Sequence, residues 1–102
     1  MTRGEVWLAE IGRKRRPVLV LTRTDVLDVR ALVTVAEITT SARGLAVEVT
    51  IDHAAVGLER ESLINCDGLH TVAQTTLTTR IGAVDDATLE RVCSAVSYAL
   101  DC

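Results

Sequence analysis

The densest charge cluster in the chain consists of four consecutive cations: Arg13, Lys14, Arg15 and Arg16. Like charges in a row repel one another, so a loop that served structure alone would not need them. Guanidinium groups bind phosphate oxygens in pairs, which makes this charged loop a candidate phosphate-binding segment. A solvated loop with extended side chains is the simplest structural alternative. Arg16 differs from its neighbours because Pro17 fixes the backbone at the start of an apolar strand, where a guanidinium could point into a cleft.

Three hydroxyl side chains form a second group, at the end of a predicted strand: Thr39, Thr40 and Ser41. Hydroxyls in such places often only bind nearby backbone groups, in turns of the Ser/Thr type. They could also position a phosphate or a ribose hydroxyl. No His or Asp adjoins them in the sequence, so a nucleophilic serine triad is not indicated.

A third group lies in residues 65–71 and combines an amide, a carboxylate and an imidazole: Asn65, Asp67 and His70. Its Asp67-Gly68 step is a strong turn signal, which predicts a hairpin between short strands at 62–66 and 69–72. In the simplest structural explanation His70 is a half-buried strand residue. Cys66 is expected to fill the core, and His53 is expected in a loop or at the start of a short helix.

The composition argues against two classes of nucleic-acid protein. There are 14 acidic and 11 basic residues, a formal net charge of −3, and Trp7 and Tyr98 are the only aromatic residues. A uniformly basic coat and modules that stack bases on several rings are therefore disfavoured. Residues 1–16, however, carry five cations and two acids, including Arg3 beside the run at 13–16. Such a patch can hold a few phosphates, with Trp7 as the only aromatic platform nearby.

Neither a metal site nor a membrane segment is expected. The three cysteines, Cys66, Cys93 and Cys102, are far apart and form no CxxC pair, and the two histidines are widely separated. A zinc site or a disulfide framework is therefore disfavoured, and no cofactor is predicted. No apolar run approaches ~18 residues and no apolar stretch follows the N-terminus, so a cytoplasmic location is expected.

The patterning predicts one mainly β (α+β) domain spanning residues 1–102. Val, Ile and Thr make up nearly a third of the chain, and branching at Cβ favours strands. Strands are predicted at 5–11, 17–21, 31–38, 45–51 and 78–84, with Ser41–Gly44 as the turn of a hairpin between the third and the fourth. Asp85 is expected to cap a closing amphipathic helix whose apolar stripe follows helical spacing: Leu89, Val92, Cys93, Val96, Ala99 and Leu100.

Five segments, in order and nearly in register, resemble the MazF/PemK/Kid family of endoribonuclease toxins from type II toxin–antitoxin systems. The opening RGEVW, the strand RPVLVL that begins at Arg16, and the strand end AEITT that contains Thr39 are similar to family motifs. The segments ESLI and LHTV, and the closing helix, are similar as well. The resemblance covers nearly the whole chain.

The resemblance implies a small SH3-like or CcdB-like β-barrel with a C-terminal helix, usually a homodimer. It implies metal-independent, sequence-specific cleavage of single-stranded RNA by the substrate's own 2′-hydroxyl, leaving a 2′,3′-cyclic phosphate and a 5′-hydroxyl. Arg16 matches the family's essential arginine and would stabilise the phosphate. Thr39 matches the essential threonine, and Asp67 matches an aspartate proposed as base. A cognate antitoxin with an acidic, disordered C-terminal tail would occupy the basic groove.

The remaining candidates for RNA contact surround these three residues: Arg3, Trp7, Arg13, Lys14, Arg15, Thr40, Ser41, Asn65 and His70. This chain has Gly68 and His70 where the family often has Gln and Arg, which alters the expected base recognition. Two other functions stay open at this point. One is a CcdB-like DNA gyrase poison on the same fold, and the other is an inactive member that binds RNA or an antitoxin.

Overall fold

The fold consists of one antiparallel sheet of six strands with a long helix packed across one face. The computed structural model describes residues 1–100, so Cys102 lies outside the described residues. The strands are β1 (Glu5–Ile11), β2 (Lys14–Val20), β3 (Leu32–Thr39), β4 (Glu48–Thr50), β5 (Leu63–Ala73) and β6 (Leu77–Ala83). The helices are α1 (Thr24–Leu27) and α2 (Asp86–Leu100), and a single 3₁₀ turn spans Gln74–Thr76. The predicted mainly β fold with a C-terminal helix is confirmed.

The strand order is β4-β5-β3-β2-β1-β6, and both faces of the sheet carry a core. Because side chains alternate along a strand, neighbouring residues of one strand contribute to opposite cores. The first core lies under α2 and includes Val6, Leu19, Ile64 and Val92. The second lies on the other face and is built from the alternate positions, such as Val18, Val20, Val33 and Val35. This alternation decides which polar side chains share a face.

The hairpin of β1 and β2 turns more tightly than the sequence suggested. Lys14, Arg15 and Arg16 were expected in a charged loop, but they lie in β2 and pair with Ile11, Glu10 and Ala9. Only Gly12 and Arg13 form the turn, and Gly12 has a φ of 65°. Glycine adopts this backbone conformation at no steric cost, which lets a two-residue turn connect the strands. The cations therefore alternate between the two faces of the sheet.

The predicted hairpin of the third and fourth strands is wrong. β4 pairs with β5, and β5 lies between β4 and β3. The alternation at 45–51 correctly indicated an extended segment, but only Glu48–Thr50 pairs as a strand. Residues 40–47 connect β3 to β4 and leave room between these two strands for β5. Alternation indicates which residues face the core, and it does not indicate which strand is the neighbour.

The predicted turn at Asp67-Gly68 is also wrong, because β5 runs without a break from Leu63 to Ala73. Its pairing with β3 shifts between the pair Glu37–Asn65 and the pair Ala36–Leu69. Residues 66–68 are therefore extra residues in a bulge. A bulge absorbs them, bends the strand and re-aims side chains, whereas a turn would have ended it. Of the third predicted group, Asn65 and His70 lie on either side of this bulge and Asp67 lies within it.

Helix α2 begins as predicted, because the Asp85 carboxylate accepts a hydrogen bond from the backbone N–H of Thr88 at 2.8 Å. That contact satisfies one of the free donors at the helix start. Hydrogen bonds from the Thr88 side chain and from its backbone N–H together hold the pKa of Asp85 below its usual value. Val92 and Ala95 are buried against the sheet. Leu100, placed in the apolar stripe by its spacing, is mostly exposed. No helix within residues 1–100 has the length and apolar character to cross a membrane.

Candidate active site

Five polar side chains from three neighbouring strands project on the sheet face away from α2. Paired residues of antiparallel strands point to the same face, and Val18, Glu37 and Asn65 pair in one row across β2, β3 and β5. Arg16 and Thr39 lie two residues further along their strands, so they project to that same face. His70 pairs with Val35 on the other side of the row. The sheet thus gathers these five: Arg16, Glu37, Thr39, Asn65 and His70.

A small cavity of about 100 Å³ opens where these strands end. Its polar lining combines predicted and unpredicted residues: Arg16, Glu37, Thr39, Ser41, Arg43, Glu48 and Asn65. The predicted members come from β2, from the end of β3 and from β5, segments separated by more than 20 residues. Sheet pairing brings together residues that the sequence showed only as separate motifs.

Arg16 supplies a permanent positive charge at this cavity. Its side chain is 48% exposed, and its Nη1 lies 3.9 Å from Glu37 Oε1. A guanidinium in such a place keeps most of its donors free for an anionic ligand. The loose, solvent-exposed pair with Glu37 contributes little to stability, so Arg16 remains available for binding.

Thr39 is oriented by its own strand end. Its Oγ1 accepts a hydrogen bond from the backbone N–H of Ser41 at 3.1 Å. The hydroxyl proton is then free to be donated elsewhere. Sequence reasoning gave this turn as the structural alternative to a site. The two roles are compatible, because the turn fixes the hydroxyl while leaving it a donor toward a phosphate or ribose oxygen.

Glu48 and Arg43 are site residues that the sequence did not reveal. The Glu48 carboxylate accepts hydrogen bonds from the backbone N–H groups of Arg43 and Leu45, at 3.0 to 3.1 Å. Desolvation acts to raise the pKa of Glu48, but these backbone bonds and the Arg43 charge outweigh it and lower the pKa. The carboxylate thereby folds residues 43–45 against the cavity and brings the Arg43 side chain to its wall. An isolated glutamate in an alternating strand gives no sequence signal of this role.

Glu37 and His70 make the closest contact between titratable groups at the site. His70 Nε2 lies 3.2 Å from Glu37 Oε1, and the angle of this contact is not that of a hydrogen bond. Gly68, in the bulge, leaves room for this carboxylate, since a Cβ there would stand 2.5 Å from Glu37 Oε2. His70 was a candidate from the sequence and Glu37 was not. Glu37 is identified as a site residue only by the pairing of β3 with β5, which the hydrophobic periodicity of the sequence does not indicate.

The other predicted candidates are placed differently. Asp67 is exposed in the bulge, and its backbone N–H donates to Asn65 Oδ1 at 3.1 Å. Within residues 1–100 its carboxylate has no hydrogen-bond or ion-pair partner that joins it to Arg16 or Thr39. Thr40 is exposed beside Thr39 at the end of β3.

The basic run divides between the faces of the sheet. Lys14 shares the face of Arg16 by alternation, whereas Arg15 faces the other way and lies 3.7 Å from Glu10. Arg13 is exposed in the turn. The structure does not bring all four cations to one cavity.

The two N-terminal candidates lie away from the cavity. Trp7 packs against the second core and donates its Nε1–H to Glu5 Oε1 at 3.3 Å. Arg3 lies on the helix side of the sheet, where Nη2 donates to Cys93 Sγ at 3.0 Å. No cluster of three or more His, Cys, Asp or Glu side chains that could hold a metal ion occurs within residues 1–100.

Comparison with known proteins gives a consistent result. The family model described as PemK-like, MazF-like toxin of type II toxin–antitoxin system matches residues 2–100. A relative named probable endoribonuclease MazF5 from Mycobacterium tuberculosis is 39% identical over 103 residues, covering 98% of this chain and 93% of its own length.

Solved structures show the same fold. The Mycobacterium tuberculosis toxin MazF-mt6 superposes with a TM-score of 0.89 at 37% identity, covering 95% of this chain and 96% of the toxin. A mycobacterial endoribonuclease in complex with its cognate antitoxin superposes with a TM-score of 0.90 at 23% identity, covering 99% and 95% of the two chains. At that identity the second likeness concerns the fold.

Proposed function

Since the chain belongs to the family of PemK-like, MazF-like toxins of type II toxin–antitoxin systems, we propose that it is an endoribonuclease toxin. Its substrate is single-stranded RNA, cut at a short sequence, and the domain comprises residues 1–102. The observation that carries the proposal is the meeting of Arg16 and Thr39 at one cavity. They come from separate strands and are the two residues that match the family's essential positions.

The reaction uses the substrate's own 2′-hydroxyl as nucleophile, so it needs no metal-bound hydroxide. The 2′-oxygen attacks the adjacent phosphorus, the bond from phosphorus to the 5′-oxygen breaks, and a 2′,3′-cyclic phosphate and a 5′-hydroxyl result. Negative charge grows on the non-bridging oxygens in the transition state, and fixed donors aimed at them lower the barrier. Arg16 supplies that charge. Thr39, with its hydroxyl proton free, orients the phosphate or the 2′-hydroxyl.

Asp67 is the proposed base for the 2′-hydroxyl proton. It is exposed in the bulge, two residues after Asn65. Asn65, Ser41, Arg43 and His70 are proposed to contact RNA around the scissile phosphate, with Lys14 on the same face of the sheet and Arg13 in the adjoining turn. The structure favours these residues over Arg3 and Arg15 for that purpose, because the latter two face the other way.

The proposed partners follow from the same surface. An antitoxin whose acidic C-terminal tail is disordered when free would fold against the sheet face that carries Arg16 and Lys14 and exclude RNA. We propose a cytoplasmic homodimer, since a chain of 102 residues buries a limited core by itself. Static light scattering at micromolar concentration should give twice the monomer mass, and a monomer would contradict this part of the proposal.

A DNA gyrase poison on the same fold is the alternative from the sequence. The match to the MazF-like and PemK-like family, rather than to a gyrase poison, does not favour it. Supercoiling by gyrase should therefore proceed normally in the presence of the protein. An inactive member that only binds RNA remains an outcome of the experiment below.

The test compares three variants on a mixed single-stranded RNA with EDTA present. Arg16→Ala and Thr39→Val should each reduce the cleavage rate by about 10²- to 10³-fold, the usual effect of removing one transition-state donor. Arg15→Ala is the matched control, because it removes the same charge from the next residue on the opposite face. It should change the rate far less. Intact RNA with the native protein, or equal losses for Arg15→Ala and Arg16→Ala, would contradict the assignment.

A further inference from the structure

Cleavage by a 2′-hydroxyl needs a proton for the departing 5′-oxygen, and the residues assigned above do not supply it well. An arginine side chain holds its proton too tightly, because a guanidinium group is not deprotonated in proteins. A threonine hydroxyl is a still weaker acid. Imidazole exchanges protons near neutral pH and is the usual group for this task. One imidazole lies at this site, that of His70.

The two nitrogens of the His70 ring are placed differently. Nε2 faces Glu37 Oε1 at 3.2 Å and is closed off from solvent, with no other polar partner in the described part of the chain. The side chain as a whole is 37% exposed. The edge of the ring that carries Nδ1 is therefore the part that substrate can reach. A histidine with one ring nitrogen against a carboxylate and part of its ring exposed can exchange a proton with a substrate at the other nitrogen.

Glu37 connects this ring to the phosphate-binding arginine. Its Oε1 contacts both His70 Nε2, at 3.2 Å, and Arg16 Nη1, at 3.9 Å. Its Oε2 lies against Gly68, where any side chain would collide with it. The Glu37 side chain is 28% exposed, and the bulge restricts its position. Arg16 and His70 thus flank one oxygen atom.

The geometry points to His70 as the general acid of the RNA cleavage and to Glu37 as its positioning residue. This inference rests on the proposed endoribonuclease function. The 2′-hydroxyl gives its proton to the base as its oxygen bonds to phosphorus. The bond from phosphorus to the 5′-oxygen breaks, and that oxygen takes the proton from the His70 imidazolium. His70 ends neutral and recovers its proton from water before the next turnover.

Charged and polar groups from three strands face or flank the His70 ring. Glu37 on β3 places Oε1 3.2 Å from Nε2. Arg16 on β2 reaches the same carboxylate oxygen at 3.9 Å. On β5 itself, Asn65 is neutral and Asp67 is exposed in the bulge.

The experiment uses two RNA oligonucleotides of the same sequence, which differ in one atom. In the second, sulfur replaces the bridging 5′-oxygen at the cleaved bond. A thiolate leaves without being protonated, so the sulfur substrate does not need the acid. On the oxygen substrate, His70→Ala should lower the single-turnover rate by about 10²- to 10⁴-fold. On the sulfur substrate it should cleave within about 10-fold of the native rate.

His53→Ala is the matched control, since it removes the other histidine of the chain, from a turn after β4. It should behave like the native protein on both substrates. Glu37→Gln should show a smaller loss on the oxygen substrate than His70→Ala, also restored by sulfur, because Glu37 acts through His70. His70→Gln serves as a second variant if His70→Ala does not fold.

The outcomes separate the inference from the function beneath it. If native protein cleaves the RNA and His70→Ala is equally slow on both substrates, His70 contacts RNA without being the acid, and the inference is overturned alone. If native protein cleaves neither substrate, the proposed function and the inference are both overturned. Sulfur rescue of His70→Ala, with none for Arg16→Ala, supports the assignment.

Discussion

Replacing Gly68 with alanine should impair the reaction while leaving the fold intact. A Cβ at this position would lie 2.5 Å from Glu37 Oε2 and 3.0 Å from Asn65 Nδ2. Favourable contacts between such atoms begin near ~3.5 Å, so the carboxylate must move by about 1 Å. It would thereby leave its present place 3.2 Å from His70 Nε2. A misplacement of that size at a catalytic group lowers rates by about 10- to 100-fold.

The stability of Gly68→Ala should stay within about 1 kcal/mol of the native protein. The crowded atoms are the ends of side chains that can rotate, and the partly exposed ion pairs they form contribute about 0–1 kcal/mol. Gly68 is not among the glycines with positive φ. Alanine is therefore unstrained there and restricts the unfolded chain, which stabilises by about 0.4–1 kcal/mol. The two effects are similar in size and opposite in sign.

Gly82→Ala is the matched control for this prediction. Gly82 also lies in a strand without positive φ, but its Cβ would overlap the backbone carbonyl of Val56. Backbone atoms cannot rotate away, and overpacking of this kind costs about 1–3 kcal/mol. Urea denaturation of both variants, with single-turnover cleavage for Gly68→Ala, tests the contrast. Equal destabilisation of the two variants, or a native cleavage rate in Gly68→Ala, would refute the reasoning.

Three further predictions concern the stability of the fold and the burial of its side chains. Ile64→Ala should lower the free energy of unfolding by about 2–5 kcal/mol, because Ile64 is fully buried under α2; a loss below 1 kcal/mol in urea titrations would contradict this core. Desolvation acts to raise the pKa of Glu5, but hydrogen bonds from Arg80, Thr2 and Trp7 outweigh it and lower the pKa. Glu5 therefore stabilises the fold above its unfolded pKa of 4.5, and this contribution is lost as pH falls through the lower folded value. In Glu5→Gln the free energy of unfolding should fall less steeply as the pH is lowered through this range. An unchanged dependence of stability on pH would contradict the prediction. Burial raises the pKa of Cys66 to about 11, so at pH 8 a thiol reagent should modify Cys93 in the native protein and reach Cys66 only after unfolding, as peptide mass spectrometry would show.

The sequence predicted the elements whose patterns are local. Strand β1, strand β6 and helix α2 lie nearly where alternation and helical spacing placed them, and the Asp85 cap is present. The two turn predictions that were wrong depended on which strands pair with each other. Ser41–Gly44 and Asp67-Gly68 carry ordinary turn residues, but β5 inserts beside β3 and continues through a bulge. The local sequence does not determine which of several strands pairs with a given strand.

The residues of the candidate site also fall into those that the local sequence predicted and those that only strand pairing revealed. Arg16 and Thr39 were found because they belong to motifs, and their meeting at one cavity follows from the register of β2, β3 and β5. Glu37 was missed because its partner His70 lies 33 positions away along the chain and contacts it only across the bulge. Arg43 and Glu48 were missed because a carboxylate that folds a loop through backbone N–H groups carries no spacing rule.

The most direct test of the central claim is the chemistry of the ends produced when native protein cuts single-stranded RNA in EDTA. Upstream fragments should carry a 2′,3′-cyclic phosphate. Downstream fragments should carry a 5′-hydroxyl, which a polynucleotide kinase labels without prior phosphatase treatment. Cleavage with these ends, lost in Arg16→Ala, is the predicted result. Intact RNA, or fragments with 3′-hydroxyl and 5′-phosphate ends, would contradict the proposed reaction.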